Sequence, residues 1–186
     1  MYLIFVTRFL RSLFFGMLFC SVSFSWLNAG ILKPSQIAKL QMVKEVALQY
    51  PNMHGETFEK TAMSICLTET SAGVFKVGDI GKDPNIFNAS LGIMQVRLET
   101  ARYVAQKLNI TEIQELSDVK LVNKLLSDDR FNAMVAVRFL VWLNDYTNNN
   151  YFRTVSRYNG GNVNHFYYNR VMRNMQLIET ETSLFD

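Results

Sequence analysis

Cysteine is almost missing from this chain, with two among 186 residues, Cys20 and Cys66. Cys20 falls in a stretch that reads as an export signal, so removal of that stretch leaves Cys66 alone and excludes an internal disulfide. The remaining part must be held by an apolar core, and residues 30–186 are long enough to form one compact domain. Histidine is equally scarce. His54 and His165 have no ligand partners at metal spacing, and neither an HExxH element nor a glycine-rich phosphate loop is present. No metal and no cofactor is therefore expected. Clustered positive charge is missing too. The formal charge is +3, and taking Arg8 and Arg11 from the 19 basic residues leaves 17 against 16 acidic. Scattered Lys and Arg interleaved with acids make an ordinary solvated surface, not a nucleic-acid footprint. Repeats, linkers and a strong strand signal are also lacking.

What the N-terminus does hold is a secretory pattern. Met1 to Ala29 carries Arg8 and Arg11 and no acidic residue, followed by the uncharged, Phe- and Leu-rich stretch Ser12–Leu27 and then Asn28-Ala29-Gly30. A basic start, an apolar middle and a small residue at the end are the parts of a signal peptide. The sixteen residues from Ser12 to Leu27 fall short of the roughly 20 that a membrane span needs. The reading is a cleaved signal over 1–29, with cleavage after Ser25 and an uncleaved membrane anchor as alternatives. A lipoprotein site at Cys20 is disfavoured by bulky Phe19. Each version exports residues 30–186, and the periplasm is the expected location.

The exported part reads as mainly α. Pro34-Ser35 opens a first helix with Ser35 as N-cap, and Ile37, Leu40, Val43, Val46, Ala47 and Tyr50 share one face until Pro51 stops it. A second helix runs from about Thr57 to Thr70 and breaks at Ala72-Gly73. Val74–Leu91 is loop-like and is where any small β element would lie. Further helices are expected over Leu98–Leu108 (Ala101, Val104, Ala105 and Leu108 inward), Val119–Leu126, Phe131–Leu143, a short stretch ending at Tyr158, and Val163–Ile178. Phe131–Leu143 is apolar apart from Asn132 and Arg138, which suits the centre of a domain. The last helix is expected to bury Tyr168, Val171, Met172 and Met175.

Three fragments carry chemistry. Glu69 follows Ile65, Cys66 and Leu67 near a helix C-terminus, where burial and the helix dipole both disfavour its charged form. That suits a general acid, although a solvated glutamate at a helix end fits the isolated stretch as well. Gly92-Ile93-Met94-Gln95 offers a close-approaching backbone and an amide that donates and accepts, which suits sugar hydroxyls and N-acetyl groups. Equally, it could begin a core helix with Ile93 and Met94 inside. Tyr158-Asn159-Gly160-Gly161 by itself is an ordinary helix C-cap. Cys66 reads as a packing residue.

Taken together and in order, these fragments resemble the soluble (SLT-type) lytic transglycosylases of the lysozyme-like superfamily. That family shows Glu-Ser at a helix end, then Gly-Leu-Met-Gln with a following Pro-x-Thr-Ala, then Tyr-Asn-Ala-Gly. This chain has Glu69-Thr70, Gly92-Ile93-Met94-Gln95 followed by Leu98-Glu-Thr100-Ala101, and Tyr158-Asn159-Gly160-Gly161. The likeness spans about Ala62 to Val171, including Tyr167-x-x-x-Val171. Thr70 for Ser keeps a hydroxyl, Leu98 for Pro alters a turn, Gly160 for Ala is a small change, and the segment from Glu69 to Gly92 is longer than in the simplest members.

The resemblance implies a single lysozyme-like domain that cuts the MurNAc–GlcNAc bond of peptidoglycan and leaves 1,6-anhydro ends. Glu69 would act as acid and then as base. Thr70, Gln95 and Asn159 would hold sugar or the glutamate, Met94 would wall the groove, and Tyr158 would hydrogen-bond near Glu69. Glycosidases that hydrolyse use two carboxylates, and no second one has a comparable setting in the sequence. Asp79 and Asp83 are adequately explained by turn chemistry. A muramidase using one of them to hold water is the alternative reaction, and a non-catalytic wall-binding component of a secretion machine is the alternative class. The expected partner is the glycan strand. A secretion or conjugation complex and general wall turnover stay equally open, and a monomer is expected.

Overall fold

The computed structural model describes residues 32–79 and 84–181. The expected signal with Cys20, and Asp83 in the long loop, lie outside the described residues. The chain divides into two units, Met1–Lys33 and Pro34–Asp186, and the second carries all the helices and strands described. It is mainly helical, with one small sheet, two of whose strands fall in the Val74–Leu91 loop where a β element was expected and the third beyond it. No helix among the described residues is long and apolar enough to cross a membrane.

Helix α1 (Pro34–Ala47) begins on Pro34 itself. The first turn tolerates proline because its missing N–H would have no partner there, so Ser35 lies inside the helix and is not its N-cap. Leu40, Val43, Val46 and Ala47 are buried, and the helix ends three residues before the expected Tyr50. Helix α2 (Glu59–Thr70) packs against α1 on one side and against the last helix on another. Nine of its twelve residues are buried. Its end is unusual: Ser71 and Ala72, neither a glycine, sit at φ 52° and 56° and are followed by Gly73 at 88°. Ser71 N–H and Ala72 N–H donate back to Leu67 O and Cys66 O, which caps the helix in a left-handed run.

The sheet is three two-residue strands, β1 (Val77–Gly78), β2 (Ser90–Leu91) and β3 (Val96–Arg97), all antiparallel in that order. Leu91 pairs with both Val77 and Val96, and Ser90 with Gly78 and Arg97. Gly92-Ile-Met-Gln95 is therefore the turn of the β2–β3 hairpin and not the beginning of a helix. Its Ile93 and Met94 are nonetheless fully buried.

Helix α3 (Leu98–Lys107) buries Ala101, Val104 and Ala105, with Leu108 half-buried at its end. A four-residue helix α4 (Thr111–Gln114) follows, unforeseen from the pattern. Helix α5 (Asp118–Ser127) is capped by the Ser117 side chain and α6 (Asp129–Tyr146) by Asp128. Helix α6 is the central one, touching α1, α3, α5 and β3 as well as helix α7 (Tyr151–Tyr158). At its start the Asp129 carboxylate meets Lys39 of α1 and, at 2.7 Å, Lys76 beside β1. Burial works against that charge, but the two ammonium groups hold the carboxyl below its ordinary pKa. Helix α8 (His165–Thr180) buries Tyr167, Val171 and Ile178. Tyr168, Met172 and Met175, expected inside, are half-buried.

Candidate functional site

Asn132 explains how the hairpin is held. With Arg138 it is one of two polar residues that interrupt the apolar run of α6, and it is completely buried. Its Oδ1 accepts from Met94 N–H at 2.8 Å and its Nδ2 donates to Leu91 O at 2.9 Å. One amide thus satisfies two buried backbone groups of the turn. Gly92 is required by the same contact. At φ +71°, a Cβ there would lie 2.3 Å from Asn132 Nδ2 and 2.4 Å from Leu125 O. The close approach that Gly92 permits is to the protein's own core, not to a sugar.

With the hairpin fixed, an open cleft of about 410 Å³ forms between it, the end of α2 and the α7–α8 turn. Glu69 lines it, with Gln95, Val96 and Arg97 on one side and Phe139, Arg157, Tyr158, Asn159 and Gly160 on another. Glu69 is half-buried, and its Oε1 accepts from Tyr167 O–H at 2.5 Å. Burial pushes its carboxyl pKa up, the Tyr167 hydrogen bond and the nearby Arg170 guanidinium pull it down, and Asp79 adds a further upward push. The upward influences win, so this carboxyl keeps its proton to higher pH than an ordinary glutamate. Burial and the charge of Glu69 hold the Tyr167 phenol well above its usual range, which keeps it a hydrogen-bond donor.

The other expected residues divide into two groups. Gln95, Tyr158 and Asn159 meet Glu69 in the cleft. Gln95 sits at φ 51°, its Nε2 donates to Gly92 O at 3.0 Å, and its Oε1 rests where a Cβ on Gly78 would come within 2.1 Å. Tyr158 does hydrogen-bond beside Glu69, but to Met94 O at 2.9 Å. Asn159 Oδ1 accepts from Asn164, whose own Oδ1 caps α8 at Tyr167 N–H. Thr70 and Met94 do not line the cleft. Thr70 is buried, donates to Ile93 O at 2.8 Å and accepts from Gly73 N–H at 2.8 Å, so it staples the end of α2 to the hairpin. Met94 is fully buried and serves through its backbone.

Two further side chains change the picture of the site. Tyr167, singled out in the sequence only for its spacing, is the direct partner of Glu69. Its helical phase could have revealed it, since Tyr167 and Val171 are four apart and face inward together. Asp79 also lines the cleft. Ser90 O–H at 2.7 Å and Arg97 at 2.9 Å bind its carboxylate and lower its pKa. The cleft thus holds one carboxyl tuned towards its acid form and another tuned towards its charged form, which is the arrangement that separates acid from base roles. Cys66, one turn before Glu69, is buried and its thiol is pushed up to about 12 by burial, which disables it as a nucleophile. No group of three or more His, Cys, Asp or Glu among the described residues could hold a metal ion. Comparisons with family models, with curated proteins and with solved structures found no match.

Proposed function

We propose that this chain is a peptidoglycan lytic transglycosylase, exported to the periplasm, which breaks the MurNAc–GlcNAc β-1,4 bond without consuming water. The observation that carries the proposal is the Glu69 carboxyl, half-buried, held by Tyr167 and pushed towards its protonated form at the side of an open cleft. An acid with that bias suits protonation of a glycosidic oxygen near neutral pH. In the proposed reaction the Glu69 proton passes to the bridging oxygen as the C1–O bond breaks. The carboxylate so formed then takes the proton of the sugar's own C6 hydroxyl, whose oxygen closes on C1 as a 1,6-anhydro ring. Glu69 ends protonated again, so the cycle closes.

Tyr167 steadies the carboxylate between the two transfers by a charge-assisted hydrogen bond. In this reading the Gln95 amide and the Asn159 side chain, both lining the cleft, would bind sugar hydroxyl and acetamido groups. Tyr158 serves by fixing Met94 O, and with it the turn that presents Gln95.

A second reading is favoured by Asp79. An ionised carboxylate in the same cleft could hold water and turn the reaction into hydrolysis by a muramidase. Mass spectrometry of the products formed by wild type and Glu69→Gln on purified peptidoglycan decides between them. Anhydro ends that disappear in Glu69→Gln support the transglycosylase. Reducing ends support the muramidase. Clearing that survives in Glu69→Gln removes Glu69 as the acid, and no clearing by wild type refutes both readings and leaves a wall-binding component of an envelope machine.

A further inference from the structure

Helix α2 ends one residue beyond Glu69, and its last carbonyls are met unevenly. In an unbroken helix the Ala72 N–H would donate to Thr68 O. The left-handed run sends it to Cys66 O instead, while Ser71 N–H goes to Leu67 O and Gly73 N–H to the Thr70 hydroxyl. Thr68 O finds its donor on α8, where Arg170 Nη2 meets it at 2.9 Å. Asn174, one turn further along α8, donates from Nδ2 to Thr68 Oγ1 at 2.8 Å, and that hydroxyl donates on to Ser64 O at 2.7 Å. Thr68 is buried, so its carbonyl and hydroxyl are both satisfied by protein groups.

Tyr167, Arg170 and Asn174 follow the three- and four-residue steps of one helix face. Together they grip two neighbouring residues of α2. Tyr167 binds the Glu69 carboxyl, and the other two bind Thr68 just before it. The Thr68 carbonyl belongs to the peptide unit that carries the Glu69 nitrogen, so Arg170 holds the backbone from which the carboxyl projects. It brings a charge as well as a donor, at the negative end of the α2 dipole. The Phe166 ring lies against its guanidinium, 5.9 Å from Cζ to the ring centroid.

The other groups facing Glu69 give its carboxylate no comparable charge support. Asp79 is itself negative, and burial keeps the Tyr158 and Tyr167 phenols and the Cys66 thiol neutral. Arg97 is tied to Asp79 and Glu99, and Arg157 lies over the Tyr146 ring. We propose that Arg170 is a positioning residue for Glu69: it fixes the Thr68–Glu69 peptide and sets a positive charge beside the carboxylate that forms once the proton has left. The proposal rests on the glycan-cutting reading, in which one carboxyl must act as acid and then as base. A carboxyl governed by burial alone would release its proton too reluctantly for the first of those roles, and the Arg170 charge works against that burial.

The test uses two readouts on the full chain. One is the pH profile of kcat/KM on solubilised glycan strands. The other is titration of the Glu69 carboxyl by carbon NMR, its signal assigned by its loss in Glu69→Gln. Arg170→Gln keeps an N–H for Thr68 O, which spares the fold, and drops the charge; Arg170→Lys keeps both donor and charge. In Arg170→Gln the high-pH limb and the NMR midpoint should both move to higher pH, because the protonated carboxyl persists longer. Its kcat should fall about tenfold, the order expected when a charged group's support is lost. Arg170→Lys should return both midpoints towards wild type. Asn174→Ala removes the neighbouring Thr68 contact but no charge, so it should lower Tm and leave both midpoints in place. Midpoints that stay put in Arg170→Gln, or that move as far in Asn174→Ala, overturn the proposal. So does a lysine variant as shifted as the glutamine one. A wild type that cuts no glycan sinks the functional reading and the role of Arg170 within it. Cutting by wild type with both midpoints unmoved in Arg170→Gln sinks the Arg170 proposal alone.

Discussion

Replacing Asn132 by alanine tests the architecture of the cleft without touching its surface. The side chain is fully buried and makes two hydrogen bonds, from Met94 N–H at 2.8 Å and to Leu91 O at 2.9 Å. Alanine leaves one donor and one acceptor without partners in the core, at about 1–3 kcal/mol each. The vacated volume adds a small cavity beside Gly92, which a single trapped water would partly offset. The expected loss is about 3 kcal/mol, a large share of the roughly 5–15 kcal/mol that holds a typical domain together. In urea, with a slope of about 1–3 kcal/mol/M, the midpoint should fall by about 1–3 M at unchanged slope. Asn132→Asp makes the test sharper. Its carboxylate still accepts from Met94 N–H, but its second oxygen faces the Leu91 carbonyl with no proton between them. Burial and that repulsion would raise the new carboxyl's pKa above its unfolded value, so the variant should be least stable at neutral pH and recover as pH falls and a proton returns. A loss below about 1 kcal/mol in Asn132→Ala, or an Asn132→Asp chain indifferent to pH between neutral and acid, would refute the clamp.

Gly92→Ala should be damaging for the complementary reason: its Cβ would lie 2.3 Å from Asn132 Nδ2 and 2.4 Å from Leu125 O. Overpacking at about 1–3 kcal/mol and a left-handed backbone at about 1–2 kcal/mol together lower Tm by roughly 10 °C for a chain of this size, readable by circular dichroism; a shift of a degree or two would contradict it. Tyr167→Phe removes the hydrogen bond that lowers the Glu69 pKa, so the carboxyl rises further and stays protonated longer. The high-pH limb of kcat/KM against pH should therefore move to higher pH while kcat falls, and a shift to lower pH would remove Tyr167 from its assigned place. Glu69 is raised above its 4.5 reference value, so its contribution to stability is present at low pH and is lost as pH rises from that value through the folded one. Glu69→Gln should then be at least as stable as wild type at pH 7 in thermal melts; a clearly lower Tm would show that the charged carboxylate is supported, not merely tolerated.

The helices were legible wherever many apolar positions shared one phase. Helix α6 was, and so were α2 and α5 to within two residues, because their buried faces repeat over several turns. Helix α4 escaped because four residues hold barely one turn, too short for any period to show. On α8 a one-position error in phase put Tyr168 inside in place of Tyr167, and one position is about 100° of rotation. The site was legible as a set of blocks, and Glu69, Gln95, Tyr158 and Asn159 do meet in one cleft. The division of labour was not. Thr70 and Met94 serve the backbone and not the cleft, and Asn132, Thr70 and Tyr158 all take backbone atoms as partners. Backbone partners leave no mark on residue pattern. Asp79 joins the cleft because it extends β1 next to Ser90, a neighbourhood that only strand pairing creates.

The contacts that complete the cleft join remote stretches of chain. Glu69 and Tyr167 are 98 positions apart, Met94 and Tyr158 are 64 apart, and Leu91 and Asn132 are 41 apart. Helices such as α5 can form from neighbours within microseconds, whereas pairings across such separations must wait for the chain to close large loops. Completion of the cleft thus depends on contacts of the slow-closing kind. Under the proposed function this sets an order of events: a chain still emerging, or still threaded unfolded through an export channel, carries Glu69 but no Tyr167 beside it. On that reading the proposed site would be complete only once α8 has docked and brought Tyr167 to Glu69.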